Sequence, residues 1–184
     1  MAKQTSKATK SAGFISDDAV SSGQANYLKF QAGENAFRII SNPVEGEVLW
    51  VDKKPVRAPL GETIEEEGDD DSKQKKFIAV VVIDRADGGV KMLEITQQSV
   101  IKAIKALAAN PAWGAPHGDG KPGYDIIVTK TGESLKTKYT VTPSPKKKLS
   151  KEDVKAAGEK PCDLDALFDG ADPWEGDATE YFLG

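Results

Sequence analysis

Residues 77–95 read FIAVVVIDRADGGVKMLEI, and this stretch decides the fold. Phe77 to Ile83 is a β-branched, apolar run of strand length, as expected of a strand buried on both faces. Asp84-Arg85-Ala86-Asp87-Gly88-Gly89 carries hairpin-turn chemistry, and Val90 to Ile95 returns with alternating apolar residues. Two neighbouring antiparallel strands follow from these residues alone.

Working outward towards the C-terminus, Thr96 is placed to cap a helix over Gln97–Ala109. Val100, Ile101, Ile104, Leu107 and Ala108 form its apolar face, and Asn110-Pro111 stops it. A Gly/Pro-rich loop covers Trp113 to Gly123. Tyr124–Thr129 and Lys138–Thr142 then make a second hairpin around the turn Lys130 to Ser134. Towards the N-terminus, Tyr27–Phe30 and Ala36–Ser41 predict two extended pieces hinged at Gly33-Glu34-Asn35. Gly46–Val51 is a further strand or the continuation of a bent first strand. Lys53 to Ser72 lacks apolar periodicity and is expected to be a long exposed loop. The expected fold is mainly β with one helix: a five-stranded OB-like barrel whose helix lies between the third and fourth strands. An SH3-like barrel or an open α+β sheet are the alternative topologies.

Three segments are expected. Residues 1–25 are rich in Lys, Ser, Thr and Ala and form a flexible, disordered N-terminal segment, with Phe14-Ile15 available to dock. Residues 26–150 form the barrel domain. Residues 151–184 form a linker and an acidic, aromatic C-terminal tail, with Ser150 capping a short helical turn. No apolar run approaches the ~20 residues of a membrane helix. The N-terminal lysines precede no apolar stretch of the secretory kind, and the single cysteine, Cys162, excludes an internal disulfide. The chain reads as cytoplasmic.

The formal net charge of −4 conceals a segregated pattern. Seven acids occupy Gly61–Ser72 and seven more occupy Pro161–Gly184, while all 25 Lys and Arg lie outside both runs. A basic body with separate acidic segments is the electrostatic footprint of a nucleic-acid binder.

The residue inventory argues against catalysis. His117 and Cys162 cannot supply a zinc site, no phosphate loop or nucleophile elbow is present, and no metal or cofactor is expected. The chain does not read as an enzyme. The enzymatic alternative is a metal-dependent nuclease built on Asp84, Asp87 and Glu94, although Asp84 and Asp87 serve equally as turn formers. Single strands are held by basic grooves and aromatic faces. Here the two residue types are interleaved on expected strands: Tyr27, Phe30 and Arg38, then Trp50 with Lys53, Lys54 and Arg57, then Lys75 and Lys76. Lys136, Lys138 and Tyr139 follow, and Trp113 is placed either to stack on a base or to plug the barrel end. Phe37 and Phe77, among aliphatics, are expected in the core. The tail mixes acids with aromatics at Asp172, Trp174, Glu175, Asp177, Glu180, Tyr181 and Phe182. Such a polyanion is expected to compete for the basic groove or to dock on a partner, so that deleting Pro161–Gly184 tightens DNA binding. A protein-interaction or assembly module on the same barrel is the other reading.

Tyr27-Leu28-Lys29-Phe30, Phe37-Arg38-Ile39-Ile40, Trp50, Lys76-Phe77-Ile78-Ala79, Asp84-Arg85, Trp113-Gly114 and Tyr124-Asp125-Ile126 resemble phage single-stranded-DNA-binding proteins. These are the helix-destabilising proteins of tailed-phage replication, and the resemblance covers residues 26–150. It implies an OB fold and sequence-independent binding and protection of single-stranded DNA in replication, recombination and repair. It also implies a tail that recruits replication or recombination proteins, self-association on DNA, and a host-cell cytoplasmic setting. The chain lacks the zinc ligands that some members carry.

Overall fold

The computed structural model describes residues 26–184. The expected flexible segment 1–25 lies outside the described residues. Among the described residues the fold is mainly β, with seven antiparallel strands and two α-helices. The strands are β1 (Gly33–Ile39), β2 (Val44–Val51), β3 (Lys54–Pro59), β4 (Lys75–Asp84), β5 (Val90–Ile95), β6 (Ile126–Thr131) and β7 (Lys138–Pro143). The helices are α1 (Gln98–Ala109) and α2 (Lys151–Glu159).

Strand β4 is the spine, buried along Ala79–Asp84 as its unbroken apolar run requires. One edge takes β5, from Ile78 opposite Ile95 to Ile83 opposite Val90. The other edge takes β2 along Lys75–Ala79 and β1 along Val82–Asp84. Between them the chain bends at Ile40–Pro43, where Pro43 has no N–H to give. The ladder continues through the bend: Ile40 N–H donates to the Val81 carbonyl at 3.0 Å, and Ser41 Oγ accepts from Val81 N–H at 2.9 Å. β1 and β2 thus behave as one bent strand along a single partner.

This bend is one reason for seven strands rather than five. The other is β3, which lies within the expected exposed loop and pairs with β2 from Gly46–Pro59 to Val51–Lys54. The Asp52-Lys53 turn joining them has φ of 50° and 62°. Side chains incur a steric penalty there. Asp69 offsets it, its carboxylate accepting from the amides of Asp52 at 2.6 Å and Lys53 at 2.9 Å.

The hydrogen-bonded path runs β3-β2-β4-β1-β6-β7, with β5 on the far edge of β4, and the sheet is not closed. Helix α1 contacts both β5 and β7. It buries Val100 and Ile104 against Phe37, Ile39, Val80, Val82, Leu93, Ile95, Ile126 and Val128. Its cap is Gln97, without a side-chain cap bond, rather than the expected Thr96.

A second core lies on the opposite face of β4 and β5. There Val48, Phe77, Ala79, Val81, Ile83, Val90 and Met92 meet Ala157 of α2 and Cys162, Leu164 and Leu167 beyond it. Ser150 caps α2 as the sequence suggests, in a reciprocal capping box with Asp153, and the helix extends to nine residues. The acidic segment therefore forms the cover of a β-sheet face. Among the described residues, no helix is long and apolar enough to cross a membrane.

Candidate nucleic-acid interface

Two groups of the expected binding residues reach the surface at different places. The first surrounds the β2–β3 turn and the start of β4. Trp50 is 50 % exposed near the end of β2, where it lies opposite Pro55 of β3. Lys53 and Lys54 are exposed in the adjoining turn, and Lys75 and Lys76 are exposed where β4 begins. Lys75 lies opposite Val48, which places it on the same sheet face as Trp50. The second group is the β6–β7 hairpin. There Lys136 and Lys138 are exposed and Tyr139 is half-buried, its ring 6.0 Å from that of Phe30. Phe30 lies 6.2 Å from Phe37 in turn. The two groups stand at opposite ends of the β3-β2-β4-β1-β6-β7 path.

Several candidates have other partners. Arg38, expected at a phosphate, is 2 % exposed and donates from Nε to Asp125 Oδ1 at 2.8 Å. It faces inward because it lies opposite Ile83, on the face covered by α2 and the tail. Arg57 is half-buried, paired with Glu94 at 2.6 Å and 6.0 Å above the Phe77 ring. Trp113 packs edge-on to Tyr124 at 5.2 Å, and the Tyr124 hydroxyl donates to the Gly114 carbonyl. This contact leaves Trp113 half-buried against protein groups. Tyr27 is half-buried beside β5, where it forms a parallel bridge to Met92. Burial, followed by the nearby Asp172 carboxylate, raises its pKa.

The carboxylates considered for a metal are each paired with a cation. Asp84 and Asp87 both hold Lys91 Nζ at 2.7 Å, while Glu94 holds Arg57. Among the described residues, no three His, Cys, Asp or Glu side chains are grouped to hold a metal ion.

The tail is divided by chemistry. Asp172, Glu175, Asp177 and Glu180 are exposed, whereas Trp174, Tyr181 and Phe182 pack inward. Lys160 stands over the Trp174 ring at 4.6 Å, and Tyr181 donates its hydroxyl to the Lys160 carbonyl at 2.9 Å. Phe182 stacks on His117 with centroids 4.0 Å apart, and its amide donates to the Ile40 carbonyl at 2.7 Å. Removing Pro161–Gly184 would therefore uncover the apolar face of β4 and β5, so deletion is not a clean test of tail competition.

The sequence reading missed the ion network around Asp125. Arg38, Arg85 and Lys147 converge on this one carboxylate, and Arg85 continues to Asp153 at the start of α2. The signal available was an arginine inside the apolar run Phe37–Ile40, since a buried guanidinium requires a carboxylate. A scan of protein-family profiles and a search of characterised proteins each return no match to this chain.

Proposed function

We propose that the chain binds single-stranded DNA on an OB-like barrel. The observation that carries this reading is Trp50, half-exposed on a rigid strand among Lys53, Lys54 and Lys75. That combination suits a base stacked on an indole with its phosphates held by mobile ammonium groups. The OB assignment is supported by the bent β1–β2 strand shared between β4 and β6, and by a helix between β5 and β6. Lys136, Lys138 and Tyr139 form a second basic and aromatic group at the other end of the sheet path; Arg38 drops out of the phosphate set because it is buried.

In keeping with the resemblance of residues 26–150 to phage single-stranded-DNA-binding proteins, the proposed activity serves replication, recombination and repair. Within that reading, the exposed tail acids Asp172, Glu175, Asp177 and Glu180 repel DNA from the neighbouring basic surface and recruit replication proteins. Titration of tryptophan fluorescence with oligo-dT and with a matched duplex, at two salt concentrations, tests the proposal. Quenching by the single strand alone, weakened by salt, is the expected result. No response to either nucleic acid removes the DNA reading and leaves an assembly module as the better account.

A further inference from the structure

Among the described residues, four large apolar side chains are exposed outside both cores, Trp50, Leu60, Leu135 and Val154, and Leu135 is the most exposed of them. Leu135, at the tip of the β6–β7 hairpin, is fully exposed. We propose that Leu135 is an apolar wedge that enters the base stack of a bound single strand while neighbouring lysines hold the flanking phosphates. The inference rests on the single-strand reading above and assigns a residue and a part of the DNA to it.

The turn is built to keep Leu135 outside. Ser134–Lys136 form one 3-10 turn, closed by Lys136 N–H to the Glu133 carbonyl at 3.0 Å and Thr137 N–H to the Ser134 carbonyl at 3.2 Å. Gly132 has φ of 75°, and a Cβ there would collide with the Lys136 carbonyl. The tip backbone thus closes tightly on itself, with the Leu135 side chain outside it. The backbone beneath Leu135 is already ordered, so binding there orders only the side chain itself.

Charge selects the occupant. Between Lys130 and Lys138 the hairpin carries three lysines and one acid, Glu133. Lys130 lies opposite Tyr139 and Thr131 lies opposite Lys138, so Lys130 and Lys138 leave the hairpin on opposite faces. Cations therefore stand on both sides of one apolar projection. Minor-groove proteins insert an aliphatic wedge between the base steps of a duplex, and Leu135 brings the same chemistry to the stack of a single strand.

The test uses the full chain and an oligo-dT strand carrying one central 2-aminopurine beside a purine. The parent should raise the 2-aminopurine fluorescence on binding, as the base is unstacked. Leu135→Ala, at a fully exposed position, should keep its affinity within about tenfold and lose most of that rise. A rise unchanged in Leu135→Ala, with the strand bound, overturns the wedge and leaves DNA binding intact. Failure of the parent to bind the strand overturns both readings together. Anionic phospholipid vesicles bound by the parent and not by Leu135→Ala, with the DNA signal unchanged, would assign the tip to a lipid surface and overturn the proposal.

Discussion

Arg38 Nε donates to Asp125 Oδ1 at 2.8 Å, and this contact joins the first strand to the start of β6 across 87 residues of chain. Asp125 also receives Arg85 Nε at 3.1 Å and Nη2 at 3.0 Å, while Arg85 Nη1 donates to both Asp153 oxygens at 2.9 Å. β1, the β4–β5 hairpin, β6 and α2 thus meet at one charge cluster. Removing a partner leaves a buried charge without compensation, which costs about 3–5 kcal/mol. Asp125→Ala should lower unfolding free energy by that order in urea titration. Arg38→Ala should also destabilise the chain, without changing the salt slope of DNA binding, because Arg38 reaches no phosphate.

The same cluster sets an acid limit on stability. Burial opposes ionisation of Asp125, but hydrogen bonds from Arg85 and the charges of Arg38, Arg85 and Lys147 outweigh it and hold its pKa below the ordinary carboxylate value. Asp153 is lowered likewise: burial opposes the shift, and hydrogen bonds from Arg85 and Ser150 overcome it. A folded pKa below the unfolded value binds fewer protons in the native state, so this stability is present above about pH 4 and lost as pH falls further. Thermal midpoints should fall below about pH 4 in the parent and less steeply in Asp125→Asn.

Trp50→Ala should weaken single-strand binding by about 1–3 kcal/mol, the range for one stacked base. Phe at this position should retain part of that, since it keeps an aromatic face. Trp113 and Trp174 are half-buried against protein groups, so fluorescence quenching should follow Trp50. Quenching that survives in Trp50→Phe would place the strand elsewhere. Lys75→Ala should reduce the slope of log affinity against log salt by about 0.7 for each phosphate it no longer neutralises.

Where each residue type has one physical outcome, the sequence was readable. β4 and β5 fall near their expected bounds because a continuous β-branched run and an alternating run fit few other structures. β3 was hidden because Lys54–Pro59, with a proline at its second and last positions, has no periodicity of its own and becomes a strand only by pairing with β2. Arg38 looked like a phosphate ligand because its carboxylate lies 87 residues away. The tail aromatics were visible as unusual, but their destination depends on an uncovered face of β4 and β5. That face cannot be inferred when the β4 run reads as buried on both sides whatever covers it.

Gly46 offers a check on the packing beneath the proposed surface. A Cβ there would lie 2.6 Å from the Ala58 carbonyl oxygen, 2.7 Å from the Phe77 ring and 2.8 Å from Phe168. The first of these is ladder backbone and cannot rotate away. Gly46→Ala should therefore destabilise the chain by roughly 1–3 kcal/mol through overpacking, read as an earlier urea midpoint with an unchanged slope.

Cys162 reports whether the tail opens when DNA binds. Its thiol is buried beneath the tail, where Cys162 O accepts from Thr179 N–H at 2.7 Å, and burial pushes its pKa up to about 12. A thiol so placed is neutral at pH 7 and out of reach, so a thiolate-specific reagent should modify it only through opening events. If DNA displaces the tail, saturating oligo-dT should speed modification several-fold. If DNA and tail occupy separate surfaces, binding should leave the rate unchanged or slow it through added native stability. Neutralising the exposed acids with Asp172→Asn, Glu175→Gln, Asp177→Asn and Glu180→Gln separates charge from cover, because it leaves the buried tail aromatics in place. This variant should bind DNA more tightly at low salt, with the advantage fading as salt screens the repulsion. Equal affinity at low salt, together with an unchanged thiol rate, would end the competition account.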